Sequence, residues 1–366
     1  MRMTRPLLSA AALIALAACE KGDKAPPPGP ALPAVEVSEV AAADGYGEPG
    51  AKVNAVAFWS HPSVNFESLL LAATDAGVEA FAIETGEKVG AVEQGPVDAL
   101  AVIYSGNGAA AEGYVVAGRP TGYEFYRVDN LTRALSPTSV ASAAPRAGAF
   151  CAGRSSGAMT LYEIANDGLS RRVIEPRENG LALGDPEPVA TTGGIACHVD
   201  DRTGAVIAIA ADGAIKRIDP ATGEAFGLAF GGANATSSTI FLMTTVEPDN
   251  AAGGAIALLD GASGVISLFD LVDGHAMGAV RVKATFDLGA VAAATTIAAG
   301  YGNYGGVYRD GALAIVTNDG GAPIRLAPWN GVLDAVKQPL GENVDPRAPQ
   351  SATEDVSVIE IDLIEP

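Results

Sequence analysis

Cysteine is scarce in this chain, with three in 366 residues. That is too few for a fold stapled mainly by disulfides. Histidine is as rare: His61, His198 and His275 stand apart from one another, and none has a Cys or acidic partner at metal-ligand spacing. The short metal-binding motifs are therefore excluded. Positive charge is also short, with 23 Lys and Arg against 43 Asp and Glu and a formal net charge of −20. Phosphate contacts need Lys and Arg, so such a chain repels nucleic acid and anionic headgroups. The acids are scattered through turns, as in a solubilising surface rather than one acidic patch. Beyond the first twenty or so residues no apolar run approaches membrane-spanning length. Helical periodicity is nearly missing, with one short turn of helix expected at residues 332–336.

What is present begins with an export pattern. Residues 1–18 carry Arg2 and Arg5, then an apolar run from Leu7, then Leu16-Ala17-Ala18 before Cys19. The run is too short to cross a bilayer and describes a signal peptide. Its Leu-Ala-Ala-Cys ending resembles the bacterial lipoprotein signal, which implies acylation of Cys19; the alternative is an ordinary secretory peptide that ends near a cysteine. Glu20 follows where Asp would retain an enterobacterial lipoprotein at the inner membrane, so the resemblance implies the outer membrane, facing the periplasm. Residues 19–33 are polar and proline-rich and read as a tether. Residues 34–366 form the folded part, with the lipid as its only anchor. In an oxidising compartment Cys151 and Cys197 are left as an even pair, each after a run of small residues; they form a disulfide or remain two buried thiols.

Internal repetition organises the folded part. A Gly followed by an apolar or alternating strand and a polar turn recurs at Gly77, Gly122, Gly157, Gly213, Gly264 and Gly321. The mean spacing is about 49 residues, against the ~40 to 50 of a four-stranded propeller blade. Most copies are preceded by another apolar strand, at residues 68–73, 113–117, 205–210, 255–259 and 312–317. The clearest unit is residues 195–219, a meander of three strands joined by tight turns at Arg202-Thr203-Gly204 and Asp212-Gly213. Short hairpins repeated around a ring protect their own edges, and a sandwich rarely spaces six of them equally. The expectation is an all-β, six-bladed β-propeller. Alternation at residues 356–363 suggests a last strand that closes a blade beside an early strand at residues 34–40, the alternative being a frayed edge.

From about residue 51 to residue 330 the motif order resembles the calcium-dependent β-propeller phytases. Ala57-Phe58-Trp59-Ser60-His61-Pro62 looks like that family's first strand, and Val116-Ala117-Gly118-Arg119 like a strand ending in a phosphate-binding Arg. Cys197, Asp200-Asp201, Gly204 and the strand from Ala205 follow the order of its central blade. The resemblance implies phosphate-binding roles for Arg119 and Arg154. It also implies a structural calcium in the turns of Asp260 and of Asn318-Asp319. Elsewhere the family's ligands are replaced: Ala76 for a Lys, Asp98 alone from an Asn-Asn-Val-Asp motif, Ile195 for a Glu, and Ala210-Ala211 for a glutamate pair. Residues 233–241 contain no acid where an Asp-x-Glu-Gly motif belongs.

Calcium takes six to eight oxygen ligands, and carboxylates supply most of its binding energy. Without several of them the site can neither screen phosphate nor activate water. The sequence therefore describes a phytase-like lipoprotein of the cell envelope with a degenerate site, acting as a binding or interaction module. Its partner is an envelope protein or an anionic small molecule. The alternative is a calcium-dependent phytase or other phosphomonoester hydrolase with divergent ligands. Ser155-Ser156 and the Gly302–Gly306 run are most simply turns and loops.

Overall fold

The computed structural model describes residues 36–141, 146–232, 234–244 and 252–349. Their regular structure is nearly all strand, with one α-helix, Trp329–Ala335. The strands form six sheets in chain order. Blade 1 is Val53–Trp59, Leu69–Thr74, Val78–Ala82 and Lys88–Val92; blade 2 is Ala99–Ser105, Glu112–Arg119, Gly122–Val128 and Leu135–Thr138. Blade 3 is Ala149–Ser155, Ala158–Ala165 and Gly168–Arg177, with Gly180–Leu183 and Glu187–Ala190 both on its third strand and Val140–Ala141 at the rim. Blade 4 is Ala196–Asp200, Ala205–Ile209, Ala214–Ile218 and Ala225–Phe230; blade 5 is Ala235–Thr244, Ala252–Asp260, Val265–Asp270 and Ala276–Lys283. Blade 6 is Thr296–Gly300, Ala312–Val316 and Ile324–Pro328, and its fourth strand is Asp44–Tyr46 from the start of the chain. The first strands neighbour one another in turn, and Thr296–Gly300 returns to Val53–Trp59. The ring is closed and the molecule is a six-bladed β-propeller.

Residue size explains the layering. First strands converge on the axis, and Ala is their commonest residue. Second strands, such as Leu69–Thr74 and Ala312–Val316, are buried along their whole length. Each lies between two neighbouring blades, so it reads as a continuous apolar run instead of an alternation. Outer strands such as Lys88–Val92 face water. Six apolar clusters fill the spaces between blades, and the helix docks Trp329 flat on Phe241 with ring centroids 4.2 Å apart. The turn after Ile209 needs Gly213, whose φ is +86° and whose missing Cβ would lie 2.2 Å from the Gly232 carbonyl.

The meander at residues 195–219 is present, and the helix falls one turn around its expected place. One repeat is offset. Five of the six Gly copies open a third strand, whereas Gly157 precedes the second strand of blade 3, whose third starts at Gly168. That copy was also the one with no apolar strand before it. Closure differs too: the early strand, Val37–Ala41, runs parallel to Ala276–Lys283 on the rim of blade 5, and Asp44–Tyr46 is the strand that closes blade 6. The expected last strand at residues 356–363, the tether and Cys19 lie outside the described residues.

Candidate functional site: the axial channel

All six first strands line one central cavity of about 380 Å³. Its two ends differ. At the open end stand the strand beginnings, with Asn54, Asp98, Ile195 and Thr236 at the wall. The turns between second and third strands surround it, because pairs such as Val53 with Thr74 and Ala99 with Gly118 put those turns beside the strand beginnings. At the other end Asp201, Tyr104, Tyr301, Tyr304 and Pro346 close the bore.

The cations described at the open end are paired off. Arg146 binds both oxygens of Asp98, the Nη2–Oδ2 distance being 3.0 Å. Lys52 lies 3.2 Å from Asp75, which also accepts from Asn54. Arg119 is buried, donating to the Pro96 carbonyl at 3.0 Å and to Glu124 at 2.7 Å. Ile195 and Ala210 sit here as well, on adjacent strands of blade 4. Cys151 and Cys197 are joined by a disulfide across the wall between blades 3 and 4, with Cα atoms 5.5 Å apart.

The closed end is held by a segment the sequence did not single out. Residues 344–349 cross it, and Arg347 is buried with its guanidinium 5.2 Å from the Trp59 ring centre and 4.8 Å from that of Tyr104. It donates to the Ser60 carbonyl at 2.7 Å, to the Ala111 carbonyl and to Asn130 at 2.9 Å. A buried guanidinium that donates to no carboxylate needs such oxygens and ring faces to replace its water. Burial pushes the Arg347 pKa down. Arg154 belongs to the same clamp, donating to the carbonyls of Gly106, Pro346 and Arg347 and to Asn107 at 2.7 to 3.1 Å. Arg119 and Arg154 thus stand at opposite ends of the channel and do not share a site.

Asp201 and His198 are among the titratable groups that face the bore. Asp201 accepts from the Arg154 amide at 2.5 Å and from the Tyr301 hydroxyl at 3.1 Å; burial nevertheless pushes its carboxyl up to about 6. His198 shares a 2.8 Å hydrogen bond with Ser238, and burial lowers its imidazole to about 4. A base that weak takes little proton from a hydroxyl at neutral pH, so the pair is a poor nucleophile couple. Ser238 lies forty residues along the chain from His198. No local spacing announces that pair, and none announces Arg347.

The implied calcium residues sit in equivalent turns of blades 5 and 6. Asp260 accepts from the Ala262 amide and the Ser263 hydroxyl, Asp319 is bound by Arg325 at 3.0 Å, and Asn318 is exposed. Among the described residues three His, Cys or acidic ligand atoms gather within 4.8 Å at one place, Asp270, Asp273 and His275, in an exposed turn of blade 5.

No protein-family model and no curated protein sequence matches this chain. Similar solved structures include a protein of unknown function from Bacteroides thetaiotaomicron, at 14% identity and TM-score 0.46, covering 80% of this chain and 74% of that one. They also include U3-55K, at 11% identity and TM-score 0.43, with 80% and 81% covered. A chain of the Mitotic Checkpoint Complex is similar at 9% identity and TM-score 0.45, with 83% and 97% covered. What the channel can do follows from its own residues.

Proposed function

We propose that the protein is a binding or interaction propeller of the bacterial cell envelope, lipid-anchored through Cys19, with a phytase-like scaffold whose calcium and phosphate stations have lost their ligands. The observation that carries this reading is the state of Asp98. Of the residues lining the cavity, the acids are Asp98 and Asp201. Arg146 occupies both oxygens of Asp98, while Asp201 lies at the far end under the clamp. A calcium ion that screens phosphate needs several free carboxylate oxygens in one place. The remaining wall is mostly small and apolar, Ala, Val and Ile, with Phe58 and Phe150 and with Asn54, His198, Thr, Ser and Tyr as its polar groups, which suits a polar ligand held by hydrogen bonds or a partner loop inserted from the open side.

The test is phosphate release from phytate by the chain from residue 34 onward, with and without saturating calcium, beside an Arg119→Ala control. No release by the folded protein is expected. Calcium-dependent turnover that the control abolishes would overturn the reading and establish a phosphomonoester hydrolase with divergent ligands.

A further inference from the structure

An edge strand exposes unpaired backbone groups, and proteins blunt such edges with charge, proline, short strands or a covering segment. Five blades here do so. Lys88 lies on the rim strand of blade 1, Pro137 on that of blade 2, and Glu187 and Pro188 on the part of blade 3's rim that Val140–Ala141 does not cover. Val37–Ala41 covers blade 5, and the rim strand of blade 6 has only three residues and starts with Asp44.

Blade 4 has a bulge and none of these other devices. Its rim strand Ala225–Phe230, AFGLAF, has neither charge nor proline, and Phe226 and Phe230 are 56% and 48% exposed. A bulge at Leu228 interrupts its pairing with the third strand. The rim strand of blade 5 is bulged too, at Met277, and it accepts Val37–Ala41 on the regular residues beyond the bulge, Ala279–Lys283.

We propose that Ala225–Phe230 is a self-association edge, on which the same strand of a second copy pairs antiparallel about a two-fold axis. Two features select a second copy over another occupant. A chain of net charge −20 repels its own kind over most of its surface, and this uncharged edge faces itself without that penalty. The strand is also self-complementary in size. About a two-fold between Gly227 and Leu228, Phe226 meets Ala229 of the second copy, Phe230 meets Ala225, and Leu228 meets Gly227. Each large side chain opposes a small one, as an isologous contact requires. The result is one sheet running through both blades.

Sedimentation equilibrium tests this on the chain from residue 34 onward, which holds every described strand. Six residues a side make a small interface, so a monomer–dimer equilibrium with a dissociation constant on the order of 10 to 100 µM is expected. Phe226→Lys with Phe230→Lys sets like charges across the edge and should weaken association at least tenfold with the melting temperature unchanged. Phe226→Lys alone should do so less strongly and serves as the milder variant. A wild type that is monomeric throughout, or association that survives both variants, overturns the proposal. A chain that dimerises only after residues 350–366 are removed also overturns it, and assigns the edge to the chain's own tail.

Discussion

The two ends of the channel are built on opposite terms. At the open end every cation described has an acid beside it: Arg146 with Asp98, Lys52 with Asp75, Arg119 with Glu124. At the closed end the guanidinium groups of Arg347 and Arg154 donate to no carboxylate; carbonyls, amide oxygens and ring faces hold them, and the nearby acids Asp345 and Asp201 take the backbone amides instead. Partly exposed pairs contribute little to stability, whereas a buried cation that loses its acceptors is costly. The closed end is therefore the structural one. The open end is free to change its chemistry without unfolding the ring.

The largest effect expected lies on the wall between the two ends. The disulfide closes a loop of 46 residues. Cys151→Ser with Cys197→Ser should lower unfolding free energy by roughly 4 kcal/mol on the chain-entropy account. A urea midpoint that hardly moves would mean that the clamp alone fixes blades 3 and 4.

Next comes the clamp. Arg347→Ala leaves the Ser60 and Ala111 carbonyls without this donor in a dry site, and a loss of about 3 kcal/mol is expected in the same titration. Arg347→Lys should recover only part of it, since an ammonium cannot reproduce the planar fork. Equal stability of Arg347→Ala and wild type would erase the contrast between the ends.

The third effect is in pH. Asp201 binds its proton more tightly in the folded chain, at about 6 against an ordinary value near 3.8. Its contribution is full at low pH and is lost as pH rises through about 6. His198 has the opposite sign: its folded value of about 4 is below the ordinary 6.5, so its contribution is full above 6.5 and lost as pH falls through about 4. Between pH 4 and 6 the two slopes oppose and nearly cancel. Asp201→Asn should leave stability rising with pH, and His198→Gln should leave it falling, each by ~1 to 3 kcal/mol. The smaller figure is favoured because both residues are only partly buried. Parallel profiles in the two variants would show that neither group titrates as its burial implies.

The ring was legible in the sequence because a blade is local: its strands follow one another, its turns are short, and Gly77, Gly122 and Gly213 mark equivalent bends. Blade 3 slipped by a strand because Gly157 and Gly168 both precede apolar strands and periodicity cannot rank them. The clamp left no such trace. Arg347 meets Ser60 across 287 positions and Arg154 meets Pro346 across 192, and a contact at that distance imposes no pattern on either neighbourhood. The resemblance implies phosphate-binding roles for Arg119 and Arg154 alike, whereas Ala99 pairing with Gly118 and Ser155 with Ala158 set the two at opposite ends.

The smallest change in stability should carry the sharpest information about the open end. Asp98→Ala removes a partly exposed partner from Arg146, so unfolding free energy should shift by no more than about 1 kcal/mol. The same substitution frees a guanidinium beside the channel. A forked cation recognises phosphate or carboxylate well once its own acid is gone. If this end takes an anion, calorimetry with inorganic phosphate or phytate should show several-fold tighter binding to Asp98→Ala than to wild type, and the gain should vanish in Asp98→Ala with Arg146→Ala. Unchanged binding would mean that the pair tethers the loop before blade 3 and that the open end reads a partner's surface, where hydrogen bonding to strand edges and contact with Ile195 replace charge.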